Sequence, residues 1–107
     1  MGASNYTSIR PWPGGMQAIS ANSGAAVGIT ILAATAASAT YFGPNFARIV
    51  CESVSCRWRD DGTDPSGAVG MPLPVMTLYE YDGDLRKIKF IALTGTVLVN
   101  VSLYNAS

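Results

Sequence analysis

The chain has 107 residues, 7 basic and 7 acidic side chains, no histidine and a formal net charge of zero. That length makes one domain with a modest core, and the balanced charge argues against the basic patch that a nucleic-acid binder needs. Charged residues make up only 13% of the chain, about half the usual ~25%, which fits a surface largely covered by partners.

Residues 1–24 are rich in Gly, Ser, Asn and Pro and carry no periodicity. In Pro11-Trp12-Pro13-Gly14-Gly15 each proline removes a backbone donor and restrains the residue before it, so the segment is predicted to be an extended arm. Trp12 in such an arm is expected to anchor against a neighbouring molecule. The chain start lacks a charged region followed by an apolar run, and Tyr6 stands where myristoylation requires Ser or Thr, so neither export nor acylation is expected. The sequons at Asn5, Asn100 and Asn105 are read as chance matches.

Residues 24–42 are uncharged, but Ala, Gly, Ser and Thr dominate and only Val27, Ile29, Ile31, Leu32 and Phe42 are strongly apolar. That is too weak for a membrane helix. Val27, Ile29 and Ile31 alternate with Gly28 and Thr30, which predicts a strand over 26–33. A short second strand is expected at 39–42, followed by a turn at Gly43-Pro44-Asn45.

A third strand region is predicted over 47–59, broken near Glu52-Ser53. Val54, Cys56 and Trp58 fall on one face, and Ser55, Arg57 and Arg59 on the other. Cys51 and Cys56 have opposite parity and are predicted to be free thiols flanking a bulge. A disulfide would need a tight turn at Ser53-Val54, and neither residue favours one. With no histidine and no second cysteine pair, they are not a metal site. Asp61-Gly62 signals a turn that Asp64-Pro65 and Ser66-Gly67 prolong. The spacing of Asp60, Asp61 and Asp64 does not fit an EF-hand and reads as turn chemistry with Arg–Asp pairing.

Pro72 and Pro74 confine 71–74 to an edge or a connection. Residues 75–81 read as a strand, Asp82-Gly83-Asp84 as a turn and 87–93 as the next strand. After Thr94-Gly95-Thr96, Val97, Val99, Val101 and Leu103 alternate with Leu98, Asn100, Ser102 and Tyr104, the clearest strand in the chain. The last two strands are expected to form a hairpin. The predicted fold is an all-β, small antiparallel β-sandwich or barrel over residues 25–107, preceded by the arm of residues 1–24.

No phosphate-binding loop or nucleophile elbow is present. Glu52, Glu80, Asp82 and Asp84 are the candidates for a glycosidase-like carboxylate pair, and they read more simply as solvated acids. No enzyme, metal or cofactor is expected. Cys56 sits on the apolar face, where it acts as a small hydrophobe rather than an activated thiol. Arg57 and Arg59, with Lys87 and Lys89, form a basic face that suits either an acidic partner or edge protection. Tyr79, Tyr81 and Tyr104 suit a sugar-stacking platform, a core or a subunit interface.

Arg48-Ile49-Val50, Cys56 to Thr63, Gly70-Met71-Pro72-Leu73, Tyr79-Glu80-Tyr81, Lys87 to Ala92 and Val97 to Tyr104 together resemble a group of small structural proteins of tailed bacteriophages. The likeness covers roughly the last sixty residues and includes no catalytic signature. It implies a virion component with a jelly-roll β-sandwich. The expected function is a capsid decoration or cement protein that binds and stabilises the head shell as a homo-oligomer. Its expected partners are virion proteins such as the major capsid protein, with no nucleic acid and no membrane. The alternative is a head-fibre or tail component that binds host glycans. The expected interface residues are Trp12, Arg57, Trp58, Arg59, Asp60 and Asp61.

Overall fold

The computed structural model describes residues 8–29 and 44–107. Within them the chain forms β1 (Ile9–Asn22), β2 (Val27–Gly28), β3 (Phe46–Glu52), β4 (Cys56–Arg59), β5 (Met71–Leu73), β6 (Tyr79–Tyr81), β7 (Lys89–Ala92) and β8 (Thr96–Ala106), and no helix. Two four-stranded sheets result, ordered β1-β8-β3-β6 and β2-β7-β4-β5. All strand pairs are antiparallel. The pairing is nested: β1 with β8, β2 with β7, β3 with β6 and β4 with β5.

The alternation in β8 explains why it lies inside a sheet. Val97, Val99, Val101 and Leu103 are buried, and the strand pairs with β1 on one side and β3 on the other. Its inward row meets like residues: Val99 lies between Ile19 and Cys51, and Val101 opposite Ile49. Phe90, Ala92, Cys56 and Leu73 supply the other layer, and both layers join one apolar cluster. Each fully buried side chain of Val or Phe size contributes about 1.5–3 kcal/mol.

Residues 9–22 are not a free arm. They form β1, with ten residues in register against β8. The proline-rich stretch still leaves its mark. Between the pairs Pro11–Tyr104 and Met16–Ser102, residues 12–15 stand opposite Leu103 alone. Pro11 and Pro13 cannot donate to a ladder, so the strand bulges there and resumes at Met16. Trp12 is half-buried and packs on the core cluster, so it is not a free anchor. Residues 1–7 lie outside the described residues, as do the second half of the expected strand over 26–33 and all of that over 39–42; within the first half Val27–Gly28 form a strand.

The break expected near Glu52-Ser53 is a change of layer. Ser53 takes a φ of 77° and the Val54 N–H donates to the Glu52 carbonyl at 3.0 Å. This sharp bend moves the chain from the first sheet into the second. Cys51 and Cys56, both fully buried, therefore face each other across the core, with Cα atoms 6.8 Å apart, and form a disulfide. The expectation of free thiols fails because the tight turn that pairing requires is present at Ser53-Val54, although neither residue favours one.

Two further expectations change where the chain changes layer. β7 and β8 belong to different sheets, so the link through Gly95 crosses between layers and makes no hairpin. Of residues 75–81 only Tyr79–Tyr81 form a strand. The preceding stretch carries the chain from the edge strand β5 to the edge strand β6, with a single bridge at Val75 and a φ of 59° at Met76. Pro72 lies in the edge strand β5 and Pro74 in the connection after it, where a missing N–H breaks no inner ladder.

Candidate functional site

The loop of residues 60–70 joins β4 to β5 and folds back on the second sheet. Its turns are built from short polar side chains. Asp61 accepts the Thr63 N–H at 3.2 Å, Gly62 has a φ of 87°, and Ser66 Oγ accepts the Val69 N–H at 3.0 Å. The outward side chains of the sheet then hold the loop down. Arg57 Nε donates to the Gly67 carbonyl at 3.2 Å and its Nη1 to the Gly70 carbonyl at 3.0 Å. Lys89 Nζ reaches Asp64 at 2.9 Å, and Arg59 pairs with Asp61. Arg57, Arg59 and Lys89 of the expected basic face are thus engaged by the chain's own loop. Each pair is exposed and contributes little alone, but together they fix where the loop ends.

It ends at Gly70, whose φ is 148°. A side chain there would start 3.0 Å from Arg57 Cβ and 3.2 Å from the Trp58 carbonyl oxygen. Only glycine brings the returning chain this close to β4. The return leaves a concavity of about 380 Å³ lined by Trp58, Arg59, Asp60, Asp61, Val69, Gly70 and Met71.

Trp58, the one aromatic residue among the described residues that line the concavity, belongs to an aromatic cluster. Trp58 lies 5.5 Å from Tyr79 and 5.5 Å from Tyr81, ring centre to ring centre. The buried Tyr81 donates its hydroxyl to Asp60 Oδ2 at 2.6 Å. Burial, then the bond to Asp60, pushes the Tyr81 phenol well above its ordinary pKa of 10.0. Tyr79 moves the same way, through burial first and the charges of Asp60 and Asp82 next. Arg59 holds the Asp61 carboxyl below its ordinary value. Asp60 faces no cation among the described residues; its partner is Tyr81.

Of the residues expected at an interface, Trp58, Arg59, Asp60 and Asp61 line this one concavity. Arg57 braces it from the loop side, and Trp12 lies on β1 in the other sheet. Val69, Gly70 and Met71 complete the site; Gly70 and Met71 belong to the stretch that carries the resemblance, and Val69 is marked only by an uncharged run. The three tyrosines do not make one platform. Tyr104 is on β8, edge-on to Phe46 at 6.1 Å, with the Arg48 guanidinium 5.0 Å above its ring.

The acidic side chains are dispersed among separate partners. Asp60, Asp61 and Asp64 turn to Tyr81, Arg59 and Lys89 respectively. Glu80 pairs with Arg48 at 3.2 Å, Glu52 accepts from Asn100, and Asp84 caps the turn at the Arg86 N–H. Among the described residues no group of His, Cys, Asp and Glu could hold a metal ion, and no helix is long and apolar enough to cross a membrane.

Beside the concavity runs an apolar surface. Residues 65–79 carry no charge. Within them Val69 (53%), Met71 (57%), Met76 (70%) and Leu78 (57%) are largely exposed. Comparison with protein-family models, with curated proteins and with solved structures finds no match for this chain.

Proposed function

We propose that this chain is a structural component of a tailed-bacteriophage virion, a decoration or cement protein that clamps neighbouring subunits of the head shell. The observation that carries the proposal is the exposed apolar run beside the Trp58 concavity. Four large apolar side chains lie open within ten residues, 69–78, with no charge among them. A run of exposed apolar side chains of this kind marks a site where another protein sits. The work of such a protein is contact area, and many copies on a shell gain avidity.

The nested pairing supports the finer fold reading, a jelly roll. An eight-stranded chain folded on itself and rolled up pairs its first strand with its eighth and its fourth with its fifth, and that architecture recurs in viral capsid domains. The inference from fold to role is an analogy; the resemblance of residues 48–104 to phage structural proteins adds to it independently.

Co-sedimentation with emptied heads of the phage that encodes the chain tests the reading. The protein should pellet with the heads at micromolar concentration, and Met76→Ser with Leu78→Ser should weaken the affinity by roughly thirty-fold, since each exposed side chain lost from an interface is worth about 1 kcal/mol and there are two. Protein that stays in the supernatant with heads, and pellets with isolated tails, is a tail component instead.

A further inference from the structure

The Trp58 concavity has a chemistry more specific than that of the apolar run next to it. Its wall is Val69 and Met71, and its floor is the indole braced by Tyr79 and Tyr81. Three charged side chains form the rim. Arg59 is taken by both carboxylate oxygens of Asp61. Asp60 is left with the Tyr81 hydroxyl on one oxygen and, among the described residues, no cation. The rim therefore carries one surplus negative charge, set beside an aromatic ring and above an apolar wall. Its volume of about 380 Å³ is at the small end of the range for ligand sites, ~300–1,000 Å³.

We propose that this concavity is a subsite for a lysine or arginine side chain of a partner protein, flanked by an apolar residue. The cation would pair with Asp60 and lie by the Trp58 ring, which attracts positive charge through its π face. The apolar neighbour would pack on Met71, a side chain soft enough to fit several shapes. The Tyr81 hydroxyl holds Asp60 in place from behind, so the carboxylate is positioned before the partner arrives. A sugar would find a poorer match. It needs several donors and acceptors around an open ring face, and here the one guanidinium on the rim is already paired. The proposal rests on the reading of residues 69–78 as a docking face and names the anchor within it.

The test follows the two indole N–H signals of Trp12 and Trp58 by NMR, assigned with Trp12→Phe, during titration with short peptides at millimolar concentration. Acetyl-Leu-Lys-Leu-amide should shift the Trp58 signal, and the same peptide with glutamate in place of lysine should not. Asp60→Asn keeps an oxygen for the Tyr81 hydroxyl, so the fold is retained. It should weaken lysine-peptide binding about five-fold, the strength of one partly exposed ion pair, and leave a serine peptide unaffected. Met71→Ser should weaken both. Equal shifts with lysine and glutamate peptides, no effect of Asp60→Asn, or a Trp58 response to oligosaccharides alone would each overturn the subsite. Head binding separates this from the broader reading. Asp60→Asn protein that binds heads like the wild type, while Met76→Ser with Leu78→Ser does not, overturns the anchor and keeps the docking face. Wild-type protein that ignores heads sinks the docking face, and the peptide titration still decides the anchor.

Discussion

Tyr81 ties together more of the structure than any other side chain around the site. It is buried under Gly83, opposes Ala47 in the first sheet and bonds Asp60 on the second. Its phenol is held protonated well past the ordinary value, chiefly by burial. The unfolded chain loses that proton near pH 10, while the native chain keeps it. The native state thus binds more protons than the unfolded state above pH 10, and stability must fall there as pH rises. Urea midpoints should be flat to about pH 9 and then drop, with Tyr81→Phe dropping less steeply; parallel curves would show that Tyr81 plays no part. Gly83 tests the same group from the other side. A Cβ at Gly83 would fall on the Tyr81 phenol ring, so Gly83→Ala should push the hydroxyl off Asp60 and cost about 1–3 kcal/mol, read as a lower urea midpoint. The sequence announced the turn at Gly83 and the dense charge around Trp58. It held no sign of the Asp60–Tyr81 bond, because that bond joins residues 21 apart on different sheets.

Elements read from side-chain period came through where the period was clean. β8 alternates from Thr96 to Tyr104, and over that stretch its inward set is the buried set. The elements that failed were those whose role depends on which layer they join. A bend at Ser53 or a link through Gly95 looks the same locally whether the chain stays in its sheet or leaves it. The Cys51–Cys56 disulfide is the clearest case, since it ties the end of β3 to the start of β4 across the core. Closing a loop this short should stabilise the fold by about 2 kcal/mol. Urea unfolding with and without reductant measures it: the midpoint should fall on reduction, and Cys51→Ser with Cys56→Ser should match the reduced protein and ignore reductant. Identical midpoints for oxidised and reduced wild type would mean that the crosslink adds nothing.

At the scale of the whole molecule the first strand closes the first sheet. Composition suggested an extended arm, and Pro11 and Pro13 do interrupt regular pairing. The seven residues after the bulge pair without a gap, and Ile19 and Ala21 join the core. A chain starting at Ser23 would bare one side of β8 and uncover Val97 and Val99. It should lose its cooperative thermal transition and precipitate, as followed by circular dichroism and light scattering. A transition unchanged from that of the full chain would return the segment to the status of an appendage. The nested order was beyond reach of pattern reading altogether. Alternation says which residues face inward, and it is silent on which strands become neighbours.

Pro72 on β5 and Pro74 just beyond its end have a consequence for crowding. A protein that works in many copies at high local density risks having its open margins zip together, chain upon chain, into cross-β fibres. On this margin two successive positions of one parity offer no amide hydrogen. A neighbour can press its side chains there, but a fibril cannot template from it.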